Sequence, residues 1–183
     1  MRDESAPPSW VREHKMDFGA GSIRDCSWHD MNRVVRECGA QTVLELGCGF
    51  STVCFDQAGL FVTCLETKKD WIHHMLSQTS GNVTVIQYEY PYLPDMFPDG
   101  YDIAFVDGPP ATMDGRFHSM MFAAGRSKRV FVHDSRRKSE VQAIAKVFDR
   151  EEWIQTVYDG GLSLFVHKSL GELYVKPKNK KKS

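Results

Sequence analysis

No run of about 18 apolar residues occurs anywhere in this 183-residue chain, so no membrane-spanning helix is expected. The opening MRDESAPPSW is polar and proline-bearing where a secretory leader needs an apolar centre, and no signal peptide is expected either. Neither sign of charge is in excess. A net −1 and a pI near 6.6 speak against a general polyanion-binding surface and hence against nucleic acid. The local exception is the ending KPKNKKKS, read as a solubilising flexible tail, with a nucleic-acid contact or a localisation signal as the alternative. The five cysteines (Cys26, Cys38, Cys48, Cys54 and Cys64) are odd in number and contain no CxxC pair, which excludes a disulfide scaffold and a zinc cluster of the usual spacing. Three of them fall in segments that read as buried strand or helix, where cysteine acts as a small hydrophobe. A reducing cytoplasm is the expected compartment. There is also no internal repeat and no linker, which leaves one domain.

What is present is a 42% hydrophobic chain with a regular alternation of elements. Residues 1–24, rich in charge, Pro and Gly, read as an arm or lid. Ser27 then resembles a helix N-cap with Asp30 three residues on, and Trp28, Met31, Val34, Val35 and Cys38 form one apolar face that Gly39 stops. Short, almost wholly apolar segments follow in turn with helical ones. TVLEL, LFVTCLE, NVTVIQY, YDIAFVD and RVFVHD read as strands. STVCFDQA, the segment around Trp71, Ile72, Met75 and Leu76, and Phe117 to Ala124 read as helices. Val141, Ile144, Ala145 and Phe148 predict the buried face of a last helix. EEWIQTVY and LSLFVHK, joined through Asp159-Gly160-Gly161, predict a closing antiparallel hairpin. Apolar strands alternating with helices mean an α/β domain: a Rossmann-like, doubly wound, mostly parallel seven-stranded sheet covered on both faces, spanning 25–170, with 171–183 as the basic tail.

In such a sheet, ligands sit beyond the carboxyl ends of the strands. The first strand ends in LELGCGFST, so a buried segment closes on Glu45 and Leu46, turns on Gly47 and Gly49, and restarts at once as a helix. Glycine lets a backbone approach a ligand closely and adopt positive φ. Glu66 lies 19 residues after Gly47 at the end of the second strand, where a carboxylate accepts hydrogen bonds from ribose hydroxyls. A dinucleotide fingerprint fails, because its third glycine would be Thr52 and Glu45 would repel phosphates. The same carboxylate suits a cationic ligand such as a sulfonium or an ammonium, so a nucleoside with a positive end fits best.

LELGCGFST followed by Glu66 resembles the S-adenosylmethionine-binding signature of class I methyltransferases, and the strand pattern resembles that family from about residue 27 to 168. The resemblance implies that Gly47 and Gly49 line the methionine part of the cofactor and that Glu66 binds its ribose. Tyr88 and Glu89 would flank the adenine. Cys48, Ser51, Thr52, Thr67 and Asp107, with Glu45, complete the expected cofactor contacts.

The loops FVDGPPATMDGR and FVHDSRR, after the fourth and fifth strands, lie beside the glycine turn in this topology. Asp107, His133 and Asp134 are therefore expected to converge as the catalytic group, with Arg116, His118 and Arg137 as acceptor-binding residues. Methyl transfer needs an aligned acceptor and a route for its proton. His133 has a suitable pKa for that, while Asp107 and Asp134 together could hold Mg²⁺ or Mn²⁺ that acidifies a hydroxyl. The Asp/Asn-Pro-Pro-aromatic motif of amino-methylating nucleic-acid enzymes is broken by Gly108 and Ala111, and no Pro-Cys nucleophile is present. The two aspartates resemble those of metal-assisted O-methyltransferases of the catechol and sugar-modifying kinds, with Ser135 where those carry Asn or an acid. A small-molecule or saccharide hydroxyl is the expected acceptor. Two alternatives stand beside it: a S-adenosylmethionine-using enzyme of another reaction type, such as a lyase, and a non-catalytic methyltransferase-like binding module. Oligomeric state is not legible.

Overall fold

The computed structural model describes residues 25–95, 97–109 and 114–173. The predicted arm, 1–24, and all but the first three residues of the predicted tail lie outside them. Seven strands form one sheet: β1 (Thr42–Leu46), β2 (Phe61–Glu66), β3 (Val83–Gln87), β4 (Ile103–Val106), β5 (Arg129–Val132), β6 (Trp153–Val157) and β7 (Ser163–His167). Their order is β3-β2-β1-β4-β5-β7-β6. Neighbours from β3 to β5 run parallel, and β7 pairs antiparallel with both β5 and β6. The mixed doubly wound sheet read from the sequence is the architecture observed. Chain order reverses between β1 and β4, the place where an open α/β sheet opens its ligand crevice.

The period-2 alternation of each strand divides the core into two layers. Val43, Phe105 and Phe131 face one layer with Trp28, Met31, Val53, Phe55 and Met75. These come from α1 (Asp25–Cys38), α2 (Phe50–Gln57) and α3 (Lys69–Leu76). Leu44, Leu46, Ala104, Val106, Val130 and Val132 face the other layer, with Met120 and Ala123 of α4 (Phe117–Arg126) and Ala143 of α5 (Lys138–Val147). Both faces of β1, β4 and β5 are covered, which is why these strands read as unbroken apolar runs.

Two local expectations change. Ser27 lies inside α1 rather than capping it, since the helix already runs from Asp25. Fully buried, its hydroxyl reaches the Asp159 carbonyl at 3.4 Å and ties α1 to the β6–β7 turn. Gly39, at φ +64°, does end the helix. In α5 the buried positions are Glu140 and Ala143, while Val141 is 51% exposed and Ala145 is exposed too. Of the predicted face, Phe148, stacked on Phe165 at 4.0 Å just beyond the helix, reaches the core, and Ile144 packs against it half-buried.

Candidate functional site

The chain leaves β1 through Gly47 at φ +89°, a conformation that only glycine adopts without strain. The turn is pressed against the loop after β4: a Cβ on Gly47 would lie 2.5 Å from the Gly108 Cα, and one on Gly108 would lie 2.5 Å from the Gly47 Cα. Asp107 and Gly108 both donate their N–H to the Leu46 carbonyl, at 2.9 and 2.6 Å. Gly49 plays a different part. It is the extended N-cap of α2 at φ −172°, with nothing within 4 Å of where its Cβ would stand. Its N–H donates to the Thr52 hydroxyl at 2.8 Å.

Over this turn opens a cleft of about 240 Å³ lined by Gly47, Cys48, Glu66, Lys68, Trp71, Asp107 and Gly108. Glu66, 7% exposed, is fixed at the end of β2, where its Oε1 accepts the N–H groups of Thr67 at 2.7 Å and Lys68 at 2.9 Å. Its Oε2 faces the Cys48 thiol at 3.8 Å. One carboxylate oxygen is thus committed to the backbone, and the other is turned toward the cleft wall. Trp71 closes the side, its indole N–H donating to the Cys48 carbonyl at 2.6 Å.

Beneath the turn lies Glu45, on the α2 side of the sheet and wholly buried, accepting a short hydrogen bond from the Ser51 hydroxyl. Its other oxygen has no hydrogen-bond partner. Burial pushes the Glu45 carboxyl up to about 8, against the lowering influence of Ser51 and Thr52.

Beyond Asp107 the cleft meets a charged cluster whose assembly follows from strand register. Val106 pairs with Val132 in the parallel β4–β5 ladder, and the His133 N–H continues it to the Val106 carbonyl at 3.0 Å. Asp107 and His133 are therefore adjacent as the next residues out. The His133 Nδ1 lies 2.9 Å from Asp107 Oδ1 and 3.8 Å from Asp134 Oδ2. An ionised carboxylate only accepts, so Nδ1 carries the hydrogen and Nε2 is the basic position. Burial pulls the His133 pKa down, but the hydrogen bond to Asp107 and the charges of Asp107 and Asp134 outweigh it. The net result is a raised value. Asp134 sits at φ +56°, which Asp tolerates better than most residues.

No protein-family model and no curated protein matches the chain, but solved structures do. The O-methyltransferase TomG from Streptomyces achromogenes, in complex with S-adenosylmethionine, superposes with a TM-score of 0.62 at 17% identity, covering 91% of each chain. The S-adenosylhomocysteine-bound methyltransferase PaMTH1 from Podospora anserina gives 0.64 at 15% identity, over 87% of this chain and 85% of that one. An O-methyltransferase from Bacillus cereus in complex with S-adenosylhomocysteine gives 0.60 at 18% identity, over 88% and 92%. The fold is that of S-adenosylmethionine-dependent O-methyltransferases.

Within this methyltransferase fold the expected residues divide. Gly47, Cys48, Glu66 and Asp107 line the cleft. Glu45, Ser51 and Thr52 do not; they form a buried support under it. Thr67 anchors Glu66 through its N–H and hydroxyl. Tyr88 is packed into the α4 and α5 layer, and its backbone N–H extends the β2–β3 ladder to the Glu66 carbonyl. Glu89 is exposed and turns back on Tyr92. Lys68, Trp71 and Gly108 are cleft residues that sequence reasoning missed. Gly108 had been read only as an interruption of a Pro-Pro motif, although a glycine there also signals a close backbone approach.

Of the acceptor-side residues, His118 is half exposed and faces Asp114 at 3.9 Å and the Tyr90 ring, whose hydroxyl bonds the same carboxylate. Arg137, 51% exposed, holds Asp134 at 2.8 Å from the solvent side. Arg116 lies deeper than expected. At 2% exposure it is an internal residue, 3.4 Å from Asp107 and 3.7 Å from Asp134, rather than a group presented to an acceptor.

The same observation bears on a metal. Donor atoms of Asp107, His133 and Asp134 lie within 4.8 Å of one another, a spacing a divalent ion can use. Two adjacent carboxylates need a positive partner, and here Arg116 and Arg137 supply it. A divalent ion would have to share both carboxylates with a buried guanidinium. Ser135 is also turned away, donating to the Gly161 carbonyl at 2.9 Å and accepting from Ser163. The cluster as arranged is a poor centre for Mg²⁺ or Mn²⁺.

Proposed function

We propose that this chain is an S-adenosylmethionine-dependent methyltransferase acting on a hydroxyl of a small molecule or saccharide, with His133 as the general base. The observation that supports it most is that Asp107 belongs to both halves of the site. It lines the cleft beside the glycine turn and also holds the His133 imidazole. The cleft residues suit the cofactor. Glu66 offers a carboxylate oxygen for ribose hydroxyls, and the bare backbone at Gly47 forms the wall against which the methionine part would lie.

S-adenosylmethionine, when bound, supplies an electrophilic methyl group on a sulfonium. The protein's tasks are alignment and proton removal. Asp107 keeps the hydrogen on Nδ1 and stabilises the imidazolium that forms, while Nε2 takes the acceptor proton as the new O–CH₃ bond replaces S–CH₃. The surrounding charges keep that imidazolium from being a lone buried cation.

The test is product analysis. Purified protein with S-adenosylmethionine and a panel of phenolic, polyol and sugar acids should yield S-adenosylhomocysteine together with an O-methylated acceptor. Adenosine-containing fragments without a methylated product would mean a lyase. Failure to bind S-adenosylhomocysteine at all would leave a binding module.

A further inference from the structure

Arg116 stands one residue before α4, at φ +60°, and is almost wholly enclosed. A left-handed backbone is unfavourable for a non-glycine residue, and such conformations persist where surroundings over-determine them. Among the described residues, the surroundings of its guanidinium include four groups on two loops. Nε donates to the Pro109 carbonyl at 3.1 Å, and Nη1 donates to the His133 carbonyl at 3.2 Å. Nη1 also lies 3.4 Å from Asp107 Oδ1, and Nη2 lies 3.7 Å from Asp134 Oδ2. A planar guanidinium can serve two carbonyls and two carboxylates at once; a lysine ammonium, with its donors on one atom, cannot span them.

The two aspartates depend on it unequally. Asp134 has a second and closer cation in Arg137, at 2.8 Å. The ion-pair partners described for Asp107 are Arg116 and His133 alone. Asp107 is also the group that orients the ring. Without a fixed carboxylate the neutral imidazole has no reason to keep its hydrogen on Nδ1, and Nε2 would be protonated, hence useless as a base, for part of the time.

We propose that Arg116 is a positioning residue of the methyl-transfer site: it locks Asp107 against His133 and so selects the imidazole tautomer with Nε2 free. The proposal rests on the reading of His133 as base. It assigns to Arg116 no contact with acceptor or cofactor.

The experiment is nitrogen-15 NMR of the histidine rings in the wild type, Arg116→Met and Arg116→Lys, at alkaline pH where imidazoles are neutral, beside calorimetry with S-adenosylhomocysteine. The wild-type His133 ring should show one protonated and one unprotonated nitrogen signal, well separated. In Arg116→Met these signals should collapse toward their mean while S-adenosylhomocysteine still binds. Arg116→Lys, which keeps the charge but loses the fork, should fall between the two. A His133 ring that keeps the single tautomer in either variant overturns the proposal. If Arg116→Met does not fold, Arg116→Lys alone decides. Because the tautomer is read without turnover, this result is separate from the base assignment, which fails instead if His133→Ala retains its rate.

Discussion

The two glycines of the LELGCG turn look equivalent in sequence, and replacing each with alanine should show that they are not. At Gly47 the added methyl meets two obstacles. The residue sits at φ +89°, where a side chain costs roughly 1–2 kcal/mol. Its Cβ would then fall 2.5 Å from the Gly108 Cα, 2.6 Å from the Gly108 nitrogen and 3.1 Å from the Asp107 carbonyl carbon, all backbone atoms that cannot swing aside. Overpacking of this kind costs about 1–3 kcal/mol. Together Gly47→Ala should lose about 2–5 kcal/mol, a large part of an ordinary domain's stability. For a chain of this length that lowers the melting temperature by roughly 4–20 °C. At Gly49 the backbone is extended and the space open, so Gly49→Ala should stay within about 0.5 kcal/mol of wild type. Urea titration and thermal melts of the two variants without ligand measure the difference directly. Because the Gly47 methyl would push Asp107 and Gly108 away, affinity for S-adenosylhomocysteine should fall along with stability. Equal stability losses at the two positions would refute the close contact between the β1 and β4 loops on which the whole site depends.

Three further outcomes are expected. Glu66→Gln keeps an acceptor for the Thr67 and Lys68 N–H groups but removes the charge, so S-adenosylhomocysteine affinity should drop about tenfold by calorimetry with little change in melting. His133→Ala should cost about 10²–10⁴-fold in turnover on an identified acceptor. Since the folded His133 pKa is raised above 6.5 and only the neutral ring is a base, kcat/KM should climb as pH rises through that higher value, and EDTA should leave it unchanged; EDTA-sensitive turnover restored by Mn²⁺ would put the metal back at Asp107 and Asp134. Glu45 is held protonated by burial, with a pKa near 8 against an ordinary 4.5. Its contribution to stability is therefore complete at low pH and is lost progressively as pH rises between those values, so a melting-versus-pH profile should slope downward there and flatten in Glu45→Gln.

The order of elements was legible in the sequence because the strands at the centre of the sheet, β1, β4 and β5, are buried on both sides, and a short apolar run closed by a glycine or an acid has few other uses. The cleft was legible for the same reason: Gly47 and Glu66, which line it, are placed by strand ends, and strand ends follow from local pattern. Even the meeting of Asp107 with His133 could be anticipated from parallel pairing of β4 with β5. What pattern could not decide was direction and depth. Ser27 had the chemistry of a cap yet lies within a helix, and the helix of Val141 and Ala145 turns those residues outward, because packing against the sheet overrides a short periodicity. Arg116 was legible as a charge near the site but not as a buried one. Its left-handed backbone and its contacts to Asp107, Pro109, His133 and Asp134 exist only once two loops more than twenty residues apart in sequence have been brought together by the ladder beneath them. Gly47 and Gly49 are neighbours in one motif, and only the tertiary approach of Gly108 makes one of them irreplaceable, since steric exclusion is a property of what lies opposite a residue rather than of the residue itself.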